Sequence, residues 1–188
     1  PAFAEVSTII TLARALLVTL CFAICEMVVI ISGGIDVSFP AIACASLYIP
    51  ICVFKENDID NVVLAFVFAA AIGLVIGIIN AVLISLLQIP PLIATLGVSS
   101  ITQGMLLTFF GTRQISRLPS TIAALNKVYL FTYQSKAGNN YSMTALILVP
   151  IILYIVIYIV LKYTMLGRGI YAIGGDANAA RIAGFNVV

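Results

Sequence analysis

Long apolar stretches alternate with short polar breaks along almost the whole chain. A helix of about 20 apolar residues crosses a bilayer core of about 30 Å, and stretches of this length recur. The pattern is not that of short alternating membrane strands, so it favours a helical bundle over a barrel. The sequence therefore predicts an all-α, polytopic transmembrane helical bundle with about five spans: Val6 to Ile31, Val37 to Phe54, Val62 to Leu87, Leu92 to Phe110 and Met143 to Leu161.

The first break contains residues that end one helix and begin another. It holds a glycine pair, two residues able to cap a helix and a proline suited to a first helical turn: Gly33, Gly34, Asp36, Ser38 and Pro40. This composition predicts a discontinuous helix pair at or near membrane depth, as found along transport pathways. A plain cytoplasmic turn is the alternative. A later break, Gln88 to Pro91, ends the third span because Pro91 forces Pro90 out of helical geometry.

Polar side chains inside the spans are candidates for a pathway. Glu26 interrupts the first span, and an ionisable group there is a functional hypothesis by default, the alternative being a carboxylate near the aqueous end of a tilted helix. Arg14, on the same span, can extend its head group to an interface. Asn80 requires a partner or water, and Thr95 and Gln103 are expected to point inward because of their solvation cost.

Small residues recur every four positions in the third span: Ala65, Ala69, Gly73, Gly77, Ala81 and Ser85. Such a stripe lets another helix approach closely. Packing within the bundle is the main interpretation, and a subunit interface is the alternative.

Composition agrees with a membrane protein and excludes several functions. Hydrophobic residues form 63% of the chain and charged residues 9%, and the mean hydropathy is +1.22. The absence of histidine removes the commonest metal ligand and general base, so no metal site, cofactor or hydrolytic chemistry is predicted. The net charge of +2 does not indicate nucleic-acid binding. The cysteines are interpreted as apolar packing residues: Cys21, Cys25, Cys44 and Cys52.

The last polar segment, Gly167 to Gly184, is a run that membrane burial does not explain. Asp176 can cap a short helix over residues 177–183, and Gly184 stands where a left-handed residue would end it. We interpret the segment as an aqueous loop that contacts another protein; an amphipathic helix on the membrane surface is the alternative. The earlier polar segment, Gly111 to Ser142, predicts a surface helix around Ser120 to Leu130. Because the chain starts without methionine and stops just after the loop, we expect a fragment of a longer protein.

Three ordered motifs resemble the membrane permease subunits of bacterial ABC importers for sugars, the ribose, galactose and autoinducer-2 branch. They are Gly33-Gly34-Ile35-Asp36-Val37-Ser38, Ile89-Pro90-Pro91-Leu92-Ile93-Ala94-Thr95-Leu96-Gly97 with Gln103-Gly104, and Gly167-Arg168-Gly169-Ile170-Tyr171-Ala172-Ile173-Gly174-Gly175-Asp176 continuing to Gly184. The chain departs from the family at Phe39-Pro40, where Val-Gly is usual, and at Asn178, where the widespread coupling pattern has Glu. A homologous branch for branched-chain amino acids is the neighbouring possibility.

The resemblance implies that residues 163–188 form a cytoplasmic coupling loop, which docks on a separate ATP-hydrolysing subunit, and that residues 1–162 form the transmembrane region. The implied coupling residues are Gly167, Arg168, Gly174, Gly175, Asp176, Ala179, Ala180, Arg181 and Gly184. The candidates for the substrate pathway are Glu26, Asp36, Asn80, Thr95 and Gln103. Span counting then places Lys55 to Asn61 and residues 111–142 outside, although the positive-inside rule points the other way.

The resemblance also implies the assembly. A non-enzymatic permease in the bacterial cytoplasmic membrane would pair with a second copy or a sister permease, with ABC ATPase subunits and with an extracytoplasmic substrate-binding protein. Alternating access would move a sugar or sugar-like solute inward. No Gly-xxxx-Gly-Lys-[Ser/Thr] phosphate loop occurs in the sequence, so ATP would be hydrolysed by the partner. The rival hypothesis is an ion-coupled secondary transporter that uses Glu26 and Asp36; an intramembrane enzyme and a structural scaffold are further alternatives.

Overall fold

A computed structural model describes residues 5–111, 115, 119–134 and 138–187. The helices in this part of the chain are α1 (Val6–Ile31), α2 (Phe39–Glu56), α3 (Val62–Ala81), α4 (Pro91–Phe110), α5 (Ser120–Leu125), α6 (Leu148–Tyr163), α7 (Met165–Gly175) and α8 (Ala177–Ile182). A π-helical turn, Val82–Leu86, extends α3, and a 3-10 turn, Ala145–Ile147, precedes α6. Strands β1 (Tyr129–Gln134) and β2 (Asn140–Thr144) form an antiparallel hairpin.

Among the described residues, five helices are long and apolar enough to cross a membrane: Val6–Ile31, Phe39–Glu56, Val62–Leu86, Pro91–Phe110 and Ala145–Tyr163. The predicted helical bundle and its five spans are therefore confirmed. Three of the cations assigned to the external segment lie outside the described residues: Arg113, Arg117 and Lys136.

Helix α2 forms the centre of one half of the fold, where it packs on both α3 and α4. It carries a buried row of side chains: Ala41, Ala45, Pro50, Ile51 and Phe54. The Phe54 ring meets the Phe68 ring of α3 edge-on at 5.6 Å, and the Tyr48 ring meets Phe110 of α4 at 5.9 Å. Tight packing on α2 thus fixes α3 and α4 on either side of it.

The small-residue stripe of α3 contributes to this packing at one point. A Cβ added to Gly73 would lie 3.5 Å from the Ser46 Oγ of α2. A Cβ at Gly77 would have no atom of the described residues within 4 Å. The packing interpretation therefore fits Gly73, while Gly77 lies on an open face.

Helices α1, α6 and α7 form the other half, with the hairpin packed against α1. Arg14 of α1 donates from Nη1 to the Ser142 carbonyl of β2 at 3.1 Å. Its charged end therefore reaches out of the span toward the polar segment, in the direction that snorkelling predicts. The Phe22 and Phe39 rings, 5.0 Å apart, connect α1 to the start of α2.

The polar segment before α6 differs from the prediction. The surface helix ends at Leu125 rather than near Leu130, because the following aromatic and β-branched residues pair as a strand with residues 140–144. The last span consequently begins after Thr144 and not at Met143, which belongs to β2. Pro150 lies in the first turn of α6, where its missing N–H needs no partner.

Two polar loops meet at the end of the bundle where α2 ends and α3 begins. The Asp60 carboxylate accepts hydrogen bonds from the hydroxyls of Ser120 and Thr121 and, at 3.1 Å, from the Thr121 backbone N–H. The Ser120 hydrogen bond, followed by those of Thr121, holds the pKa of Asp60 below its ordinary value. Asp60 therefore fastens α5 to the loop between α2 and α3.

Candidate functional site

The connection between α1 and α2 is a compact break rather than an open loop. Gly33 adopts φ +88°, which ends α1, and the Gly34 N–H donates to the Val29 carbonyl at 3.1 Å. Pro40 occupies the first turn of α2, as predicted. The helix pair is therefore discontinuous, and residues 32–38 run between the two helix ends.

Asp36 and Ser38 shape this connection. One Asp36 carboxylate oxygen, Oδ1, accepts from the Ser38 backbone N–H at 2.7 Å and from the Ser38 hydroxyl at 2.6 Å. Neither side chain caps α2 in the usual way, because Ser38 is the N-cap residue and its hydroxyl bonds to Asp36 instead. The carboxylate thus turns the backbone of the connection toward α2.

Helices α3 and α4 are attached to the same connection. Asn80 of α3 donates from Nδ2 to the Ser38 Oγ at 2.7 Å. The Thr95 Oγ1 of α4 accepts from the Val37 N–H at 3.3 Å and donates to the Pro91 carbonyl of its own helix at 2.9 Å. One polar residue from each helix therefore forms a hydrogen bond with residue 37 or residue 38.

Glu26 joins this group from α1. Its Oε1 accepts from the Asp36 backbone N–H at 3.2 Å, and its side chain is half-buried. We call Glu26, Asp36, Ser38, Asn80 and Thr95 the polar cluster. Four of the five predicted pathway residues belong to it, and Ser38, which the sequence suggested only as a cap, is at its centre.

Gln103, the fifth pathway candidate, lies elsewhere. It is exposed on α4 and donates to the Ser99 Oγ at 3.2 Å. The expectation that it points into the bundle is not met within the described residues. The hydrogen bond along its own helix satisfies part of its amide, which lowers the cost of an outward position.

In this conformation the polar cluster is closed. Ser38 is 0% exposed, Thr95 1% and Asn80 6%. The Asn80 Oδ1 is buried and has no hydrogen-bond partner among the described residues. The cluster therefore holds four chain segments together, with Ser38, Asn80 and Thr95 shielded from solvent and Glu26 and Asp36 half-buried.

The adjoining cavity is chemically different. A space of 570 Å³ lies between α2, α3 and α4 and is lined almost entirely by apolar side chains, among them Ile49, Phe68, Ile76, Val98 and Met105. Such a lining offers few hydrogen-bond partners to a hydroxyl-rich molecule. It suits hydrocarbon better than a sugar.

The final polar segment forms two helices in place of one. The Thr164 Oγ1 accepts from the Gly167 N–H at 3.2 Å and so caps α7. Asp176 Oδ1 accepts from the N–H groups of Asn178 at 2.8 Å and Ala179 at 3.1 Å, which caps α8 as predicted. Gly184 takes φ +88° directly after α8, as its proposed C-terminal role requires.

The outer face of α8 is available to a partner. Ile182 is 88% exposed, and Arg181 and Ala179 are also exposed. Ala180, by contrast, is 3% exposed and packs inside the chain. Of the two alanines implied in coupling, only Ala179 therefore presents its methyl group outward.

The five apolar helices define a multi-pass helical membrane protein of the type that the resemblance implies. Residues 8–188 match the family described as "Branched-chain amino acid transport system / permease component". This match covers almost the whole chain, so the chain belongs to that permease family. Members are transport subunits of the bacterial cytoplasmic membrane and not enzymes.

The curated relatives belong to the sugar-type branch, which confirms the resemblance. The chain is 27% identical over 164 residues to the galactose/methyl galactoside import permease of Salmonella typhimurium, covering 84% of this chain and 47% of the relative. It is 30% identical over 162 residues to the fructose import permease of Rhizobium meliloti, covering 86% and 44%. For the autoinducer 2 import permease of Yersinia pseudotuberculosis the identity is 29% over 124 residues, covering 66% and 32%.

The chain thus spans about half the length of the first two relatives. No solved structure matches it.

Proposed function

We propose that this chain is part of a permease subunit that imports a sugar or sugar-like solute by alternating access, driven by a separate ATPase. The relatives named above import galactose, fructose and autoinducer 2, which supports a small, hydroxyl-rich solute. Two permeases, a second copy or a sister subunit, would enclose the pathway. A substrate-binding protein would deliver the solute at the end of the bundle that carries α5 and the hairpin.

The observation that carries this proposal is the capped helix α8. Its ends are fixed by Asp176 and Gly184, yet its outer face presents Ile182 to solvent. A rigid short helix with an exposed aliphatic anchor and a neighbouring arginine is suited to a groove on another protein. We assign that groove to the ATPase subunit, in agreement with the family. Gly167, Arg168, Gly174, Gly175, Asp176, Ala179, Ala180, Arg181 and Gly184 then form or support the coupling surface.

The ion-coupled alternative receives no support from the site. Glu26 accepts a backbone N–H through Oε1, and Asp36 accepts two bonds from Ser38 through Oδ1. These contacts give both carboxylates a positioning role at the break. Family membership also favours the ATP-driven mechanism.

Co-purification tests the proposal. The full-length permease, produced with its native operon partners, is purified as wild type and as Ile182→Glu, and the ATPase activity of the eluate is measured. Ile182 makes little contact with its own chain, so the substitution should leave folding intact and reduce ATPase recovery by at least about tenfold, since a buried interface anchor contributes 2 kcal/mol or more.

A matched control is Leu130→Glu, a like change at a half-exposed site on β1, at the opposite end of the bundle. It should retain the ATPase. Equal recovery of ATPase with wild type and Ile182→Glu would remove α8 as the docking element, and wild-type uptake that follows an ion gradient without any ATPase would overturn the importer assignment.

A further inference from the structure

The three motifs that are separate in the sequence meet at one point of the fold. Gly33 faces α7, because a Cβ on it would lie 3.6 Å from the Gly174 Cα. Gly34 faces α4, because a Cβ on it would lie 3.6 Å from the Pro91 Cβ. The glycine pair between α1 and α2 therefore lies between the end of α7 and the start of α4.

The contact between α7 and α1 permits no side chain. A Cβ at Gly174 would overlap the Ile31 carbonyl oxygen at the end of α1. The neighbouring position is different, since a Cβ at Gly175 would meet no described atom within 4 Å. Of these two positions, only 174 requires glycine for the close approach to α1. Helix propensity does not explain this glycine, because glycine disfavours helices.

The other side of the connection is equally constrained. Ser38 binds Asn80 of α3, and Val37 binds Thr95 of α4. All three polar side chains involved are at least nine-tenths buried. A displacement of residues 31–34 that carries residues 37 and 38 with it must therefore either move α3 and α4 or break buried hydrogen bonds, at a cost of about 1–3 kcal/mol for each group left unpaired.

From this arrangement we propose that the Gly33-Gly34 connection is a rigid joint that transmits motion of α7 to the ends of α3 and α4, with Gly174 as its positioning residue. The inference rests on the proposed function, because α7 and α8 are the elements that an ATPase would move. Densely packed contacts pass displacement on rather than absorbing it. The joint thus accounts for coupling without placing Gly174 in contact with either ATP or solute.

The first test measures solute uptake and ATP hydrolysis by the complete transporter in proteoliposomes. Gly174→Ala pushes α7 away from Ile31, whereas Gly77→Ala adds the same methyl group to a helical glycine of α3 that has no described atom within 4 Å of the added Cβ. We expect Gly174→Ala to retain the bound ATPase but to lower uptake per ATP hydrolysed about tenfold, within the usual range of coupling factors. Gly77→Ala should match wild type. An unchanged ratio of uptake to ATP hydrolysis in Gly174→Ala would contradict the proposal that this connection is a rigid joint.

A crosslink provides a test that does not depend on the folding of Gly174→Ala. Ser32→Cys and Gly175→Cys, combined in a background without the native cysteines, flank the contact and are joined by a short bismaleimide. If α7 and the end of α1 move as one body, the crosslinked transporter should keep its uptake. Loss of uptake on crosslinking would show that the two slide past each other and would overturn the proposal. Failure of the proposed function itself would appear in the wild type, as absence of ATP-driven uptake.

Discussion

Asn80 donates its side-chain amide to Ser38 at 2.7 Å, while the amide oxygen of the same residue is buried without a partner in the described chain. The pair is therefore asymmetric. Ser38 is fully satisfied, because its hydroxyl also donates to Asp36. Asn80 depends on Ser38 for the one hydrogen bond that its side chain makes among the described residues.

This asymmetry predicts different costs for the two alanine substitutions. Ser38→Ala leaves the whole Asn80 amide buried and unpaired and should lower the free energy of unfolding by about 2 kcal/mol. Asn80→Ala removes the same bond together with the unsatisfied oxygen, so it should cost about 1 kcal/mol or less. Denaturant unfolding in mild detergent measures both. Adding Asn80→Ala to Ser38→Ala should cost nothing further, and equal or reversed single costs would contradict the assignment.

Local chemistry made part of this site predictable. The lengths of the apolar stretches predict the five spans, and the glycine pair with Pro40 predicts the break between α1 and α2. Asp176 and Gly184 predict the ends of α8. Each of these features depends only on residues that are neighbours in the sequence. The meeting of Gly33 with Gly174 depends on positions far apart in the sequence, and no periodicity encodes it. The position of Gln103 was missed because the polar residues of α4, such as Ser99, Ser100 and Thr108, are spread around the helix and do not define an inner face.

The hydrogen bond between Thr95 of α4 and Val37 of the α1–α2 connection predicts that removing the Thr95 hydroxyl lowers the free energy of unfolding. Thr95→Val keeps the shape of the side chain but removes the acceptor of the Val37 N–H, so the unfolding free energy should fall by about 1 kcal/mol. Thr95→Ser retains the hydroxyl and should recover most of this loss. Thr108→Val is the matched control, because among the described residues the exposed Thr108 hydroxyl bonds only to the Gly104 carbonyl of its own helix. If both valine variants lose the same amount, the Val37 contact contributes nothing specific.

The hydrogen bonds between Asp60 and the start of α5 predict that the stability of α5 depends on pH. A carboxyl group whose pKa is lowered on folding contributes stability above its unfolded pKa, about 4, and that contribution is lost as the pH falls through the lower folded value. Hydrogen exchange at Thr121, corrected for intrinsic rates, should therefore be independent of pH between 5 and 8, approximate limits set by that pKa, and should lose protection only in acid.

Substitution distinguishes this fastening from general acid unfolding. Asp60→Asn should weaken protection of Thr121 already at neutral pH, because the neutral amide is a poorer acceptor. Asp58→Asn, in the same loop, is the control; φ at Asp58 is +52°, which asparagine tolerates. If Thr121 in the Asp60→Asn variant is as protected from exchange at neutral pH as in the wild type, α5 is held by other contacts.

The orientation of the bundle gives the last prediction, because the coupling motif and the distribution of positive charges disagree. Asn57 directly follows α2 and Asn178 lies in α8, and both residues are exposed. In a cysteine-free background, Asn57→Cys should react with a membrane-impermeant maleimide in intact cells, and Asn178→Cys only after the cells are permeabilised. We expect this result because α8 must face the compartment that contains ATP. If Asn178→Cys is labelled in intact cells and Asn57→Cys is not, the bundle has the opposite orientation. In that orientation α8 would lie where no cytoplasmic ATPase could reach it.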